Sequence, residues 1–156
     1  MAVRFLVDFM LGKLARELRI LGFDTEYLSY NKIINKTPLE ILQTAQKENR
    51  ILLTRTRKLK DYPAVLFIES DNVGKQVIQV LDHFKLHNEI KPGSRCLLCN
   101  NELTPIPKEV VKNRVPYYVY KTQSDFVFCT QCQKIYWPGS HYLDMQNRIK
   151  AYLSSK

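Results

Sequence analysis

The sequence predicts an α/β fold with a parallel sheet, followed by a smaller β-rich unit of a different kind. Three observations predict it. Over the first 90 residues, short apolar runs rich in β-branched residues alternate with longer stretches of helical period, the pattern of strands joined by crossover helices. The composition then breaks at Lys91-Pro92-Gly93-Ser94, a linker by its turn-forming residues. Beyond it come closely spaced aromatics and two Cys-x-x-Cys pairs, with no long helical period. The expected organisation is a core at 1–91 and a second unit at 94–156 that ends in a C-terminal tail.

Residues 3–7 are short and apolar, the mark of a buried strand. A helix is expected over 10–21, with Leu11, Leu14, Ala15, Leu18 and Leu21 on one face and Gly22 as its stop. Lys13, Arg16 and Arg19 take the other side, read first as a solvated face that also offers cations to phosphate. Residues 23–28 read as a second strand. Thr37-Pro38 opens another helix, with Thr37 as cap and Pro38 in the first turn. Residues 51–54 and 64–68 are the third and fourth strands, and 73–84 is a helix with Val77, Ile78 and Leu81 inward. In the second unit, 115–120 and 126–128 alternate like ribbon strands, with Trp137 and one or two tyrosines expected at the surface.

The 156-residue chain carries 24 Lys and Arg against 15 Asp and Glu, a formal charge of +9. That balance favours a polyanionic partner, most simply nucleic acid. No apolar run approaches the ~20 residues that span a bilayer. The N-terminus shows no signal-peptide pattern, so a cytoplasmic protein with no membrane partner is expected.

Cys96, Cys99, Cys129 and Cys132 form two paired turns separated by 29 residues. Such turns present four thiolates tetrahedrally to one Zn²⁺, and lengthening the loop between them costs little entropy. Four thiolates leave no open position, so the site is expected to be structural. His141 is a spare ligand candidate.

The carboxylates suggest a second metal. Asp8 ends the first strand, at the rim where parallel α/β sheets hold ligands. Asp71 follows the fourth strand at the same rim, with Glu69 or Asp61 as substitutes, and Glu40 lies early in a helix. Converging carboxylates of this kind bind Mg²⁺ or Mn²⁺ and serve phosphodiester hydrolysis. Asp24 begins the second strand and so belongs to the other end of the sheet. The third strand runs Leu53-Thr54-Arg55-Thr56-Arg57, with a threonine where a carboxylate would complete the cluster. Arg55, Arg57, Lys58 and Lys60 put positive charge at that rim.

Five segments carry a family resemblance. They are 5–16 (FLVDFMLGKLAR), 18–25 (LRILGFDT), 50–55 (RILLTR), 95–100 (RCLLCN) and 135–141 (IYWPGSH). Together they resemble the PIN-like RNase family found at the C-terminus of Mutator-seven exonucleases, and they span nearly the whole chain. The resemblance implies a Rossmann-like PIN core, a zinc ribbon after it, and metal-dependent cleavage of RNA. Asp8 and Asp24 match the family's acidic positions directly, and Glu40 and Asp71 match loosely. In that family an aspartate stands at the position of Thr56.

The expected function is therefore a ribonuclease with catalytic carboxylates Asp8, Asp71, Asp24 and Glu40. Asp8 and Asp71 would hold Mg²⁺ or Mn²⁺, and Lys13, Arg16, Arg55, Arg57 and Lys58 would hold the RNA strand. The alternative is a non-catalytic RNA or ribonucleoprotein binder on a nuclease scaffold, which Thr56 favours. A DNA-directed protein is a third reading, because the backbone charge is shared.

Overall fold

The structure is a computed structural model that describes residues 2–154, with the side chains of residues 140–142 and 145 outside the description. The chain begins with β1 (Arg4–Val7), a 3-10 turn (Phe9–Leu11) and α1 (Gly12–Ile20). Next come β2 (Asp24–Tyr27), the single turn α2 (Tyr30–Ile33), α3 (Pro38–Lys47) and β3 (Ile51–Thr54). A 3-10 turn (Arg57–Leu59), β4 (Val65–Phe67) and α4 (Val73–Phe84) complete the core.

The four strands pair in parallel in the order β2-β1-β3-β4. Right-handed crossovers then dictate the layers. The step from β1 to β2 and the step from β2 to β3 run in opposite directions, so α1 and α3 fall on opposite faces. Side chains alternate accordingly. Phe5, Val7 and Leu53 join Leu14, Leu18, Val77 and Leu81 on the side of α1 and α4. Leu6 and Leu52 join Ile41, Leu42 and Leu59 on the side of α3. Strands buried on both faces need the continuous apolar runs that the sequence supplies.

Gly22 ends α1 with φ +93°, and a Cβ there would run into the Lys91 carbonyl oxygen. The Lys91 N–H also donates to the Leu21 carbonyl at 2.8 Å. Gly22 thus lets the chain that leaves the core press against the end of the first helix. Gly22→Ala combines a left-handed conformation with a backbone clash, and is expected to cost at least ~2 kcal/mol. Thermal unfolding checks this, and a melting temperature equal to the parent's would contradict it.

The second unit is a three-stranded antiparallel sheet of β5 (Thr104–Pro105), β6 (Val127–Cys129) and β7 (Lys134–Tyr136). Between β5 and β6 lie α5 (Lys108–Val111) and α6 (Tyr117–Thr122), so the strand expected over 115–120 is a helix. The alternation of Val115, Tyr117 and Val119 has the period of a strand, and tertiary contact overrides it. What decides is a small cluster of Val111, Val119 and Phe126, against which Val115 and Tyr120 also pack. Val119 and Tyr120 both reach it, and adjacent residues point to opposite faces of a strand but can share a side of a helix. Trp137 packs edge-on against Phe126 at 6.4 Å between ring centroids and is half-buried rather than exposed.

The expected tail is a helix, α7 (Ser140–Ser154), which returns to the core. Ile149 and Tyr152 enter the cluster beside α1 and α4, and Arg148 pairs with Glu17. Arg19, expected on a solvated face, is 8% exposed. Its guanidinium donates to the Thr25 carbonyl at 2.9 Å and to the Leu97 and Leu98 carbonyls at 3.0 and 3.3 Å. Among the described residues, no helix is long and apolar enough to cross a membrane.

Candidate functional site

Two constellations bring together side chains capable of chemistry. One is the carboxyl rim of the parallel sheet. The strand order reverses between β1 and β3, because β2 lies on one side of β1 and β3 on the other. Ligands of open α/β sheets bind at such a switch point, and Asp8 stands there. Its N–H extends the ladder to the Leu53 carbonyl at 3.1 Å. One carboxylate oxygen accepts from the Phe9 N–H at 2.8 Å and the other from the Thr54 hydroxyl at 2.9 Å. Thr54 Oγ1 in turn accepts from the Thr56 N–H at 3.0 Å. The chain Thr56 N–H, Thr54 hydroxyl, Asp8 carboxylate therefore fixes the end of β3 against the end of β1. Asp8 is 2% exposed and forms no ion pair among the described residues. A buried carboxylate without a cation is costly.

The other expected rim residues arrive differently. Asp71 is exposed, on the loop ahead of α4, where Asn72 caps that helix by accepting from the Lys75 N–H. Glu69 is exposed two residues past the end of β4. Glu40 is exposed in the first turn of α3, whose N-terminus faces the same rim because α3 leads back from β2 to β3. Their carboxylates do not close into a compact cluster with Asp8. Among the described residues, the one group of three or more metal-ligating side chains within 4.8 Å of each other is the four cysteines. Asp24 is not at this rim. It pairs with Arg4 in register, four residues before Asp8 and so about 13 Å away along the strands.

The rim is basic. Arg57 and Lys60 lie over the Phe67 ring at 5.5 and 5.3 Å, and Arg55 Nη1 reaches the Ile68 carbonyl at 3.5 Å. Lys58 is exposed beside a groove lined by Thr37, Pro38, Leu39, Leu59 and Tyr62. Lys13 and Arg16 are exposed on α1, Lys13 in the turn nearest Asp8.

The second constellation is the cysteine centre. The four Sγ atoms lie within 4.8 Å of one another, with Cys99 and Cys129 at 3.4 Å. A tetrahedral ion with bonds of ~2.3 Å sets sulfurs about 3.8 Å apart, so the geometry suits one zinc ion. The Cys132 N–H points to the Cys129 sulfur at 3.3 Å, and the Tyr136 hydroxyl lies 3.1 Å from Cys96 Sγ. Burial pushes the Cys99 thiol up to about 12. Burial would raise Cys96 as well, but the Tyr136 hydroxyl and the N–H groups of Cys99 and Leu98 bring it to about 6. Four thiolates this close repel one another unless a cation sits between them. The side chain of His141 lies outside the described residues.

The first cysteine turn is also a joint. Asn100 follows it with φ 74° and is 4% exposed. Its side chain accepts from the Thr25 N–H at 2.9 Å and donates to Asp24 at 2.7 Å and Glu26 at 3.2 Å. It thereby satisfies the outer edge of β2, an edge that otherwise invites another strand. Asp24 is part of the same joint, 2.8 Å from Arg50 and 3.4 Å from Arg4. Burial alone would raise its pKa, but the hydrogen bonds from Arg50 and Asn100 hold it below the ordinary value. A depressed carboxyl adds stability that is present above its unfolded pKa, ~3.9, and is lost as pH falls through the lower folded value. Asp24→Asn is therefore expected to flatten the acid limb of the stability curve, read by thermal melts from pH ~6 downward. An unchanged slope below pH ~4 would contradict it.

The sequence did not single out Thr54, Asn100 or Tyr136, and it placed Arg19 on the surface rather than on the Thr25, Leu97 and Leu98 carbonyls. Only Thr54 left a signal, as the polar residue that ends an apolar strand level with Asp8. The sequence matches the family model described as the Mut7-C RNAse domain over residues 3–149. No curated protein and no solved structure matches the chain.

Proposed function

The chain belongs to the Mut7-C RNase domain family, and from that premise we propose a metal-dependent ribonuclease of PIN type with Asp8 as its central carboxylate. Membership gives a ribonuclease-type function and RNA as the substrate class. The finer reading is carried by one observation, a buried, cation-free Asp8 at the switch point of the sheet. The donor set suits a hard divalent ion. Two in-chain donors occupy part of a carboxylate with about four lone-pair sites, and Mg²⁺ is commonly held by one or two carboxylates with water completing its shell. Such an ion supplies Lewis-acid polarisation of a phosphoryl oxygen. Asp8 would hold it, with Asp71 on the loop before α4 and Glu40 in the first turn of α3 as exposed carboxylates at the same rim. Phe9 N–H and Thr54 fix the Asp8 carboxylate so that it does not swing with the incoming strand. Arg55, Arg57 and Lys58, with Lys13 and Arg16, neutralise phosphates on either side. Asp24 has a structural role in this reading, as part of the joint with the second unit. The four cysteines hold one structural zinc.

A second reading has its own support. Thr56 stands where the resemblance calls for an acid, and Asp8 is almost wholly buried. Both fit a chain that binds RNA without cutting it. The experiment that separates them is incubation of the purified chain and its Asp8→Asn variant with mixed RNA, in Mn²⁺ or EDTA. Cleavage that requires Mn²⁺ and Asp8 supports the enzyme. RNA binding without cleavage supports the binder.

A further inference from the structure

We infer that α6 and the loop before it form a platform for single-stranded RNA, with Tyr117 and Tyr118 stacking bases and Lys108, Lys112, Arg114 and Lys121 taking phosphates. The inference rests on RNA as the substrate class and adds a binding surface apart from the carboxyl rim. Among the described residues, Tyr117 and Tyr118 are the two most exposed large hydrophobic side chains, at 73% and 70%. The reason is geometric. Val119 and Tyr120 turn toward Val111 and Phe126, and a six-residue helix then has to direct its first two residues outward. Folding leaves two adjacent aromatic rings largely in solvent, so burial in a core does not account for tyrosine at these positions.

Their surroundings are cationic. Lys121 Nζ lies 5.4 Å from the centroid of the Tyr117 ring, and Lys108 Nζ lies 5.0 Å from that of Tyr120. Arg114 lies 5.4 Å from the Phe128 ring, and Lys112 is exposed. From 108 to 121 there are four cations and a single carboxylate, Glu109. Among the described residues, none of the four cations is in an ion pair. Exposed rings flanked by unpaired cations match the chemistry of a single strand, whose bases offer π-faces beside a charged backbone. A duplex hides those faces in its stack. A protein partner would have to bring acidic groups to the cations and apolar cover to the rings together. Single-stranded RNA brings both along its whole length.

The test is fluorescence anisotropy of a labelled single-stranded oligouridylate with the full chain carrying Asp8→Asn, so that cleavage does not consume the probe. Adding Tyr117→Ala and Tyr118→Ala is expected to weaken binding at least ~30-fold, as loss of two stacked bases implies. Tyr117→Phe with Tyr118→Phe retains the rings and is expected to hold affinity near the parent's. Lys112→Gln with Lys121→Gln is expected to reduce the slope of log affinity against log salt by about 0.7 per cation. Both tyrosines are largely exposed, so melting curves of the alanine variant should match the parent. An alanine variant that binds within ~2-fold of the parent would overturn the platform. So would a dimer in sedimentation that the alanine changes dissolve, because the rings would then cover a second copy of the chain. Cleavage by the chain with Asp8 intact reports separately on the catalytic reading. Cleavage with tyrosine-independent binding removes the platform and keeps the enzyme. Tyrosine-dependent binding without cleavage keeps the platform and removes the enzyme.

Discussion

Stripping zinc from the cysteine centre is expected to unfold the second unit and to loosen β2 and α1 with it. A unit with so small a core, Val111, Val119 and Phe126, would draw much of its folding free energy from a zinc ion on the four cysteines, for which apparent values of about 10–16 kcal/mol are typical. The effect does not stop at Ser94. Folding of the first cysteine turn aims the Leu97 and Leu98 carbonyls at Arg19 and the Asn100 side chain at Thr25, Asp24 and Glu26. Once that turn melts, Arg19 loses buried acceptors and the Thr25 N–H loses its partner, each at ~1–3 kcal/mol unless water replaces it. The parent should carry one zinc per chain by mass spectrometry of the native protein. Cys129→Ser, or a strong chelator, should speed amide exchange at 24–27 as well as beyond 94. Zinc loss that opens the second unit and leaves exchange at 24–27 untouched would show that the joint does not couple the two. Less than half an equivalent of zinc in the parent would remove the metal centre itself.

Asp8→Asn is expected to lower RNA cleavage by about 10²-fold or more. An amide carries no charge and is a weaker ligand for a hard cation, and an ion at a phosphoryl oxygen is worth several kcal/mol at ~1.4 kcal/mol per tenfold. The fold should tolerate the change. The ladder bond to the Leu53 carbonyl is made by the Asp8 backbone N–H, which the substitution keeps, and an amide oxygen can still accept from the Phe9 N–H. Thr56→Asp is expected to act in the opposite direction. Residue 56 is joined to Asp8 through Thr54, and its backbone N–H already points into that hydroxyl. A carboxylate there adds a second acidic ligand and strengthens ion binding, so cleavage should rise and the Mn²⁺ needed for half-maximal rate should fall. Rates for the parent and both variants across a Mn²⁺ series decide it. Full cleavage by Asp8→Asn would place the active centre elsewhere. Silence in all three proteins, with RNA bound, would leave the binder as the function.

Much of this was legible in the sequence because it depends on neighbours. Apolar runs of strand length, Thr37-Pro38 at a helix start and the 3.6-residue spacing of α4 are local patterns, and the structure contains β1, β3, α3 and α4 where those patterns lie. The two Cys-x-x-Cys turns are legible for the same reason, and the four sulfurs meet. Asp8 could be placed at the carboxyl rim because it follows a buried strand directly.

What the sequence by itself determined, then, is the strand–helix alternation, the cysteine quartet and the position of Asp8 at a strand end. Tertiary structure alone decided the rest. Arg19 is a surface cation by helical period, yet it is buried, because its acceptors come from residues 78 and 79 positions away. Asn100 holds the edge of β2 across 75 positions. The alternation of Val115, Tyr117 and Val119 has the period of a strand, yet the pocket formed by Val111 and Phe126 selected a helix over 117–122. The last helix packs on the core because α1 and α4 leave an apolar face that Ile149 and Tyr152 cover. In each case the deciding partner lies far along the chain, and local propensity is worth less than the hydrogen bonds and apolar contact that such a partner brings.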